Sequence, residues 1–103
     1  MITREEYLKN PDLHNAYYTE IAKEIGISPP QDVLAAAREA FKRGDEHLNS
    51  IPLWKWDIWA YSLMTYQPEA LRRAFEKRGD QVSRGGVICV LKTITSYYIK
   101  QGG

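Results

Sequence analysis

The chain is 103 residues long, 44% apolar and 26% charged, with a formal net charge of +1. That is the composition of one small globular domain, residues 1–103, able to bury a core without disulfides or metals. A single cysteine, Cys89, excludes an internal disulfide and fits a reducing compartment. No apolar run approaches the ~20 residues of a bilayer-spanning helix, and Met1-Ile2-Thr3-Arg4-Glu5-Glu6 does not read as a signal peptide, so a cytoplasmic protein with no membrane partner is expected.

Thr3, with Glu6 three residues on, is a capping box that opens a short turn through Lys9. Asn10-Pro11 reads as an N-cap followed by proline in the first helical position. Leu13, Tyr17, Ile21 and Ile25 then recur at helical spacing, with Ala16 and Ala22 on or beside that face. Gly26-Ile27 marks the stop. Ser28-Pro29-Pro30-Gln31 predicts the next helix, with Ser28 as the cap, the prolines in the first turn and Gln31 completing the box. Its alanine-rich run favours helix, with Val33, Leu34, Ala37, Ala40 and Phe41 as the inner stripe. Gly44 ends it or interrupts it before Glu46-His47-Leu48.

The three tryptophans, Trp54, Trp56 and Trp59, fall within six residues. A helix is predicted from near Ser50, with Pro52 in its first turn. On a wheel of 100° per residue, Leu53, Trp56, Trp59, Ala60, Leu63 and Met64 share one broad apolar face. Trp54, Ile58 and Tyr61 form a second apolar patch nearly opposite its centre, with Lys55 and Ser62 between the two on one side and Asp57 on the other. A helix apolar on two sides is central to a bundle, or is packed on one side and bound to a partner on the other.

Pro68 opens a further helix, with Leu71, Ala74 and Phe75 inward and Gly79 at its end. Asp80-Gln81-Val82-Ser83 links it to the last element. The β-branched run from Val87 allows a strand by local propensity, but its length exceeds that of a typical strand. Lys92, Ser96 and Lys100 also repeat every four residues, opposite Val87, Leu91, Ile94 and Tyr98, which predicts helix. Gly102-Gly103 reads as a frayed tail. The expected fold is all-α, a compact bundle of about five helices with the tryptophan helix at its centre.

No catalytic or cofactor motif is present: there is no G-x-S-x-G, Walker loop or G-x-G-x-x-G. Gly85-Gly86 alone is a weak phosphate-loop signal and better suits close helix packing or a flexible helix start. Cys89 lies in an apolar helix, where cysteine acts as a small hydrophobe rather than a nucleophile. His14, His47, Cys89, Asp45 and Glu46 are the residues of metal-ligating type, but none is paired at the short spacing of a zinc site. Asp57 sits near a helix start, where the macrodipole favours an acid; an ion pair to an arginine of another helix is the other reading. No enzyme, metal or cofactor is expected.

Two surfaces remain as candidates. Residues 1–50 carry six basic and nine acidic side chains, residues 51–67 cancel, and residues 68–103 carry seven basic and three acidic. The basic set Arg72, Arg73, Lys77 and Arg78 is followed by Arg84. Arg73 and Lys77 share a face, and a helix, turn and helix raise the helix-turn-helix possibility. Phe75 stands where that motif needs a small residue, and the double glycine stands where its second helix needs inward side chains. Lys and Arg at a helix C-terminus also simply complement the dipole. The aromatic surface is the stronger signal. Seven Tyr and three Trp exceed what one small core needs, and Tyr, Trp and Arg dominate interface hot spots. Neighbouring helix residues point different ways, so at least one member of each of the pairs Tyr17-Tyr18 and Tyr97-Tyr98 is expected at the surface or its rim. The functional expectation is a non-enzymatic protein that docks onto a macromolecular partner, foremost another protein. Small accessory, regulatory or inhibitory proteins of phages and mobile elements are of this general type. The contact residues would be Trp54, Ile58 and Tyr61, or Arg73, Lys77 and Arg84. A nucleic-acid-binding regulator and a homodimeric structural protein are the alternatives.

Overall fold

A computed structural model describes Met1–Asp45 and His47–Gly102. Glu46, named above among residues of metal-ligating type, and the tail residue Gly103 lie outside the described residues. The described chain is all-α. Its elements are α1 (Arg4–Lys9), a 3-10 turn (Pro11–Leu13), α2 (His14–Ile25), α3 (Gln31–Lys42), a second 3-10 turn (Leu48–Ser50), α4 (Leu53–Tyr66), α5 (Pro68–Glu76) and α6 (Arg84–Gly102).

Local chemistry sets most of the boundaries. Glu6 N–H donates to Thr3 Oγ1 at 3.2 Å and Thr3 N–H donates to Glu6 Oε2 at 3.3 Å, closing the capping box of α1. Asn10 Oδ1 accepts from Asp12 N–H at 3.2 Å and starts the first 3-10 turn. Gly26 takes φ 76°, the left-handed conformation that ends a helix, and its N–H returns to the Ala22 carbonyl. The expected Ser28 cap is not made. Pro30 is the N-cap and has no side-chain bond. Its ψ of 150° keeps the chain extended to Gln31, which strands Ser28 short of the first turn. Ser28 Oγ lies instead 3.1 Å from Tyr98 OH. Near α4 the expected start is also shifted: Leu48–Ser50 forms its own turn, and Ile51 is an extended, buried anchor before the helix.

The middle of the bundle, expected for the tryptophan helix, is taken by α6, which packs against α2, α3 and α4. Helix α5 closes the remaining side against α2 and α4. The core is one cluster that includes Tyr17, Ile21, Val33, Trp56, Leu71, Phe75, Val87 and Val90. Because neighbours surround it, α6 is buried on more than one side, through Gly86, Val87, Val90, Leu91, Ile94 and Thr95. That burial overrides the β-preference of its sequence. Its threonines hide their hydroxyls by donating back to the preceding turn, Thr95 to Leu91 O and Thr93 to Cys89 O, each at 2.7 Å. The α6 helix continues through Gly102, so that residue is not part of a frayed tail.

Gly86 explains the two features that spoil a helix-turn-helix. A Cβ on Gly86 would stand 3.1 Å from Phe75 Cε1, so the missing side chain on α6 makes room for the large one on α5. Three inward assignments change. Phe41 is exposed, because α3 meets the bundle chiefly through α6 and only the narrow stripe Val33, Leu34, Ala37 and Ala40 is covered. Leu53 is exposed because it is the first residue of α4, and helical side chains lean toward the N-terminus, past the end that the neighbours cover. Tyr98 is exposed near the end of α6. One of the two tyrosine pairs departs from expectation. Tyr97 and Tyr98 are both exposed, but Tyr17 and Tyr18 are both buried. The short α1 folds over α2: Tyr7 stacks on Tyr17 at 4.6 Å, and His14 packs edge-on against Tyr18 at 4.9 Å. A six-residue helix thus covers the side of α2 that would otherwise face water.

Candidate functional site

Helix α4 has one face in the core and one in solvent. Trp56 and Ala60 are fully buried, and Trp59, Leu63 and Met64 pack partly buried against the same cluster. On the other side Trp54, Ile58 and Tyr61 are 61%, 57% and 60% exposed. All three residues of the second apolar patch are therefore open to solvent, and Leu53 joins them. They stand at positions i, i+4 and i+7, a spacing that brings side chains into one stripe along a helix. Polar groups border the stripe. Lys55 Nζ lies 5.8 Å from the Trp54 ring centroid. Asp57 Oδ1 lies 3.5 Å from Arg84 Nε, the inter-helix pair that was one of the two readings of Asp57.

The basic residues do not gather into an unpaired face. Arg84 meets Asp57 of α4. Lys77 Nζ lies 3.5 Å from Glu24 Oε1 of α2. Arg73 is exposed and bonds back to the Glu69 carbonyl. Arg72 is paired with Glu69 and Glu76 on its own helix. Arg78 is buried. Its Nη1 lies 2.8 Å from Glu24 Oε2 and donates to the Ala74 carbonyl at 2.6 Å, while its Nε is 3.9 Å from Glu20 Oε2. The hydrogen bond from Arg78 holds the Glu24 carboxyl below the usual carboxylate range. Arg4 adds its backbone N–H to the Arg78 carbonyl at 2.9 Å and its Nε to Asp80 at 3.5 Å. Lys77 and Arg78 of the basic second half are thus paired with Glu20 and Glu24 of the acidic first half.

A cleft between α2 and α6 brings together residues that are distant in sequence. It has a volume of about 410 Å³ and is lined by both histidines, His14 and His47, together with Cys89, Lys92 and Lys100. Among the described residues no three His, Cys, Asp or Glu side chains are placed to hold a metal ion. Burial pushes the Cys89 thiol up from its ordinary value, more than Lys92 and Tyr18 pull it down, so the thiol is not activated. In the sequence one wall of this cleft shows only as the solvent stripe Lys92, Ser96 and Lys100. The histidines and Phe41, which complete it, come from other elements.

No helix is long and apolar enough to cross a membrane among the described residues. Comparison with protein families, curated proteins and solved structures finds no match to this chain.

Proposed function

We propose that the protein acts without catalysis, by inserting the outer face of α4 into an apolar groove on a partner protein. The observation that carries this reading is the exposure of Trp54, Ile58 and Tyr61 in one helical stripe while Trp56, on the same helix, is 0% exposed. Anchors at i, i+4 and i+7 are those by which a helix fills a groove. Trp and Tyr are the residue types that anchor such contacts, and Lys55 and the Asp57–Arg84 pair supply a polar rim.

Size favours a groove over a second copy of the chain. A Trp or Tyr side chain carries roughly 150–250 Å². With about three-fifths of that open, the stripe and Leu53 together offer on the order of 400 Å², about half the ~800 Å² per partner of a standard interface. Two such stripes laid together would stay near the size of a packing contact. A groove that wraps α4 would also cover its flanks at Ser62 and Thr65, both exposed. The ion pairs of Lys77 and Arg84 leave the basic residues less suited to phosphate contacts than their sequence suggests.

A photo-crosslinking side chain in place of Ile58, expressed in the native host, tests the reading. The adduct is identified, and the complex is rebuilt from purified proteins. Tyr61→Ala and Trp54→Ala should each weaken that complex at least tenfold, with little salt dependence, while Arg73→Gln leaves it unchanged. Crosslinks only to nucleic acid, with affinity falling steeply as salt rises, would replace the reading with the nucleic-acid one. A stable dimer by light scattering that dissociates with Tyr61→Ala would replace it with self-association.

A further inference from the structure

The cleft between α2 and α6 shares no residue with the outer face of α4, and its chemistry points to a second site: we propose that it binds a small nucleoside phosphate. Its volume of about 410 Å³ lies within the roughly 300–1,000 Å³ of small-molecule sites. Its described lining includes two lysines and two histidines and no aspartate or glutamate. Neither Lys92 nor Lys100 has an ion-pair partner among the described residues, although Arg72, Lys77, Arg78 and Arg84 do.

Lys92 is held in place from two sides. Its Nζ donates to Asn49 Oδ1 at 3.0 Å and lies 5.7 Å from the centroid of the buried Trp56 ring. An ammonium has three protons, so two remain for a ligand, and the bond leaves the Asn49 amide NH₂ as a further donor. Lys100 stands two turns further along α6, about 12 Å at 1.5 Å per residue, with Ser96 between them on the same lining. The Thr93 and Thr19 hydroxyls donate to backbone carbonyls, so the donors available to a ligand come from the lysines, the histidines, the Asn15 and Asn49 amides, Ser96 and the Tyr97 hydroxyl. No described carboxylate lines the cleft beside the two lysines, so an anion between them would meet positive charge from both sides.

The ring half of the ligand follows from Phe41 and Tyr97, two lining aromatics that the core leaves exposed. Stacking on an aromatic side chain holds a base without reading its edge.

Calorimetry at low salt with ADP, pyrophosphate and adenosine tests the assignment. ADP should bind, pyrophosphate roughly tenfold more weakly, and adenosine not measurably. The double variant Lys92→Gln, Lys100→Gln should lose at least about tenfold in ADP affinity, while Lys55→Gln, with the same loss of charge per site but on α4, keeps it. In the unaltered protein ADP should shift the imidazole NMR resonances of His14 and His47, a readout that does not depend on any variant folding. Equal affinity for pyrophosphate and ADP overturns the ring half, and equal affinity for adenosine and ADP overturns the anion half. The absence of any heat or shift with millimolar ADP overturns the site. None of these outcomes bears on the α4 face, and Trp54→Ala should leave ADP binding unchanged.

Discussion

Trp54 and Trp56 are two residues apart on α4 but are 61% and 0% exposed, and replacing each by alanine should separate the two faces of that helix. Trp56 is the largest fully buried side chain of the molecule. Its deletion removes contacts with α6 and leaves a cavity, a change that costs about 3–5 kcal/mol. That is a large share of the roughly 5–15 kcal/mol that holds a domain together. Trp54 is a different case. Its covered fraction, about two-fifths of ~250 Å² at ~25 cal/mol per Å², sets an upper limit of about 2.5 kcal/mol. Residual compactness of the unfolded chain lowers this by ~10–40%, and alanine's better helix propensity returns about 0.5 kcal/mol. Trp54→Ala should therefore cost about 1–2 kcal/mol at most, well below the cost at Trp56. Urea unfolding followed by far-UV circular dichroism measures both, and Trp56→Phe keeps the buried site measurable if the alanine variant does not fold. The native emission spectrum should move to shorter wavelength in Trp54→Ala and to longer wavelength in Trp56→Phe. Equal destabilisation by the two alanine variants would refute the reasoning. Trp54 would then be packed on its own chain, and the outer face of α4 would not be available to a partner.

Three further outcomes are expected. Arg78→Ala should cost about 3 kcal/mol in urea unfolding at pH 7, at the low end for a broken buried pair because Glu24 is one-third exposed and regains water; Arg78→Met, which keeps the stem volume, should cost about half as much. Arg78 lowers the folded pKa of Glu24, so this pair's contribution is present above the ordinary value of 4.5 and lost as pH falls below it; Arg78→Met should flatten that acid limb. Tyr17 and Tyr18 are both raised, chiefly by burial, above their ordinary value of 10.0. Their contribution is therefore complete below pH 10.0 and lost as pH rises, because the unfolded chain releases those protons first. Unfolding above that pH should coincide with a rise in tyrosinate absorbance, and Tyr17→Phe should reduce its slope while costing about 1–2 kcal/mol for the bond to Asp80 at 3.1 Å. Gly86→Ala should lower the melting temperature by overpacking Phe75, whereas Gly85→Ala, whose Cβ would meet nothing within 4 Å, should raise it slightly; a higher melting temperature for Gly86→Ala would show that α5 and α6 have room to part.

Helix type and stop signals were legible because they depend on neighbours in sequence. The Thr3–Glu6 box, the Asn10 cap, Gly26 and Pro68 all act within one turn, and the structure uses each of them. The wheel of α4 also separated its buried face from its exposed one, apart from Leu53 at the helix end. The Ser28 cap failed although its motif was complete, because two successive prolines held the chain extended past the point where a serine reaches the first turn. The α2–α6 cleft was not legible. His14, His47 and Lys92 lie far apart along the chain, and no periodicity links them.

The amino-acid order by itself determined that the chain is helical, where most of its helices stop, and that the tryptophan segment has two apolar sides. Those properties follow from short-range hydrogen bonding and the 3.6-residue repeat. Only the tertiary structure decided which of the two sides was covered, that α6 rather than α4 holds the middle, and that α1 hides both Tyr17 and Tyr18. It also decided that the glutamates of α2 neutralise Lys77 and Arg78. Burial and ion pairing depend on distances across the bundle, and those exist only once all the helices have docked.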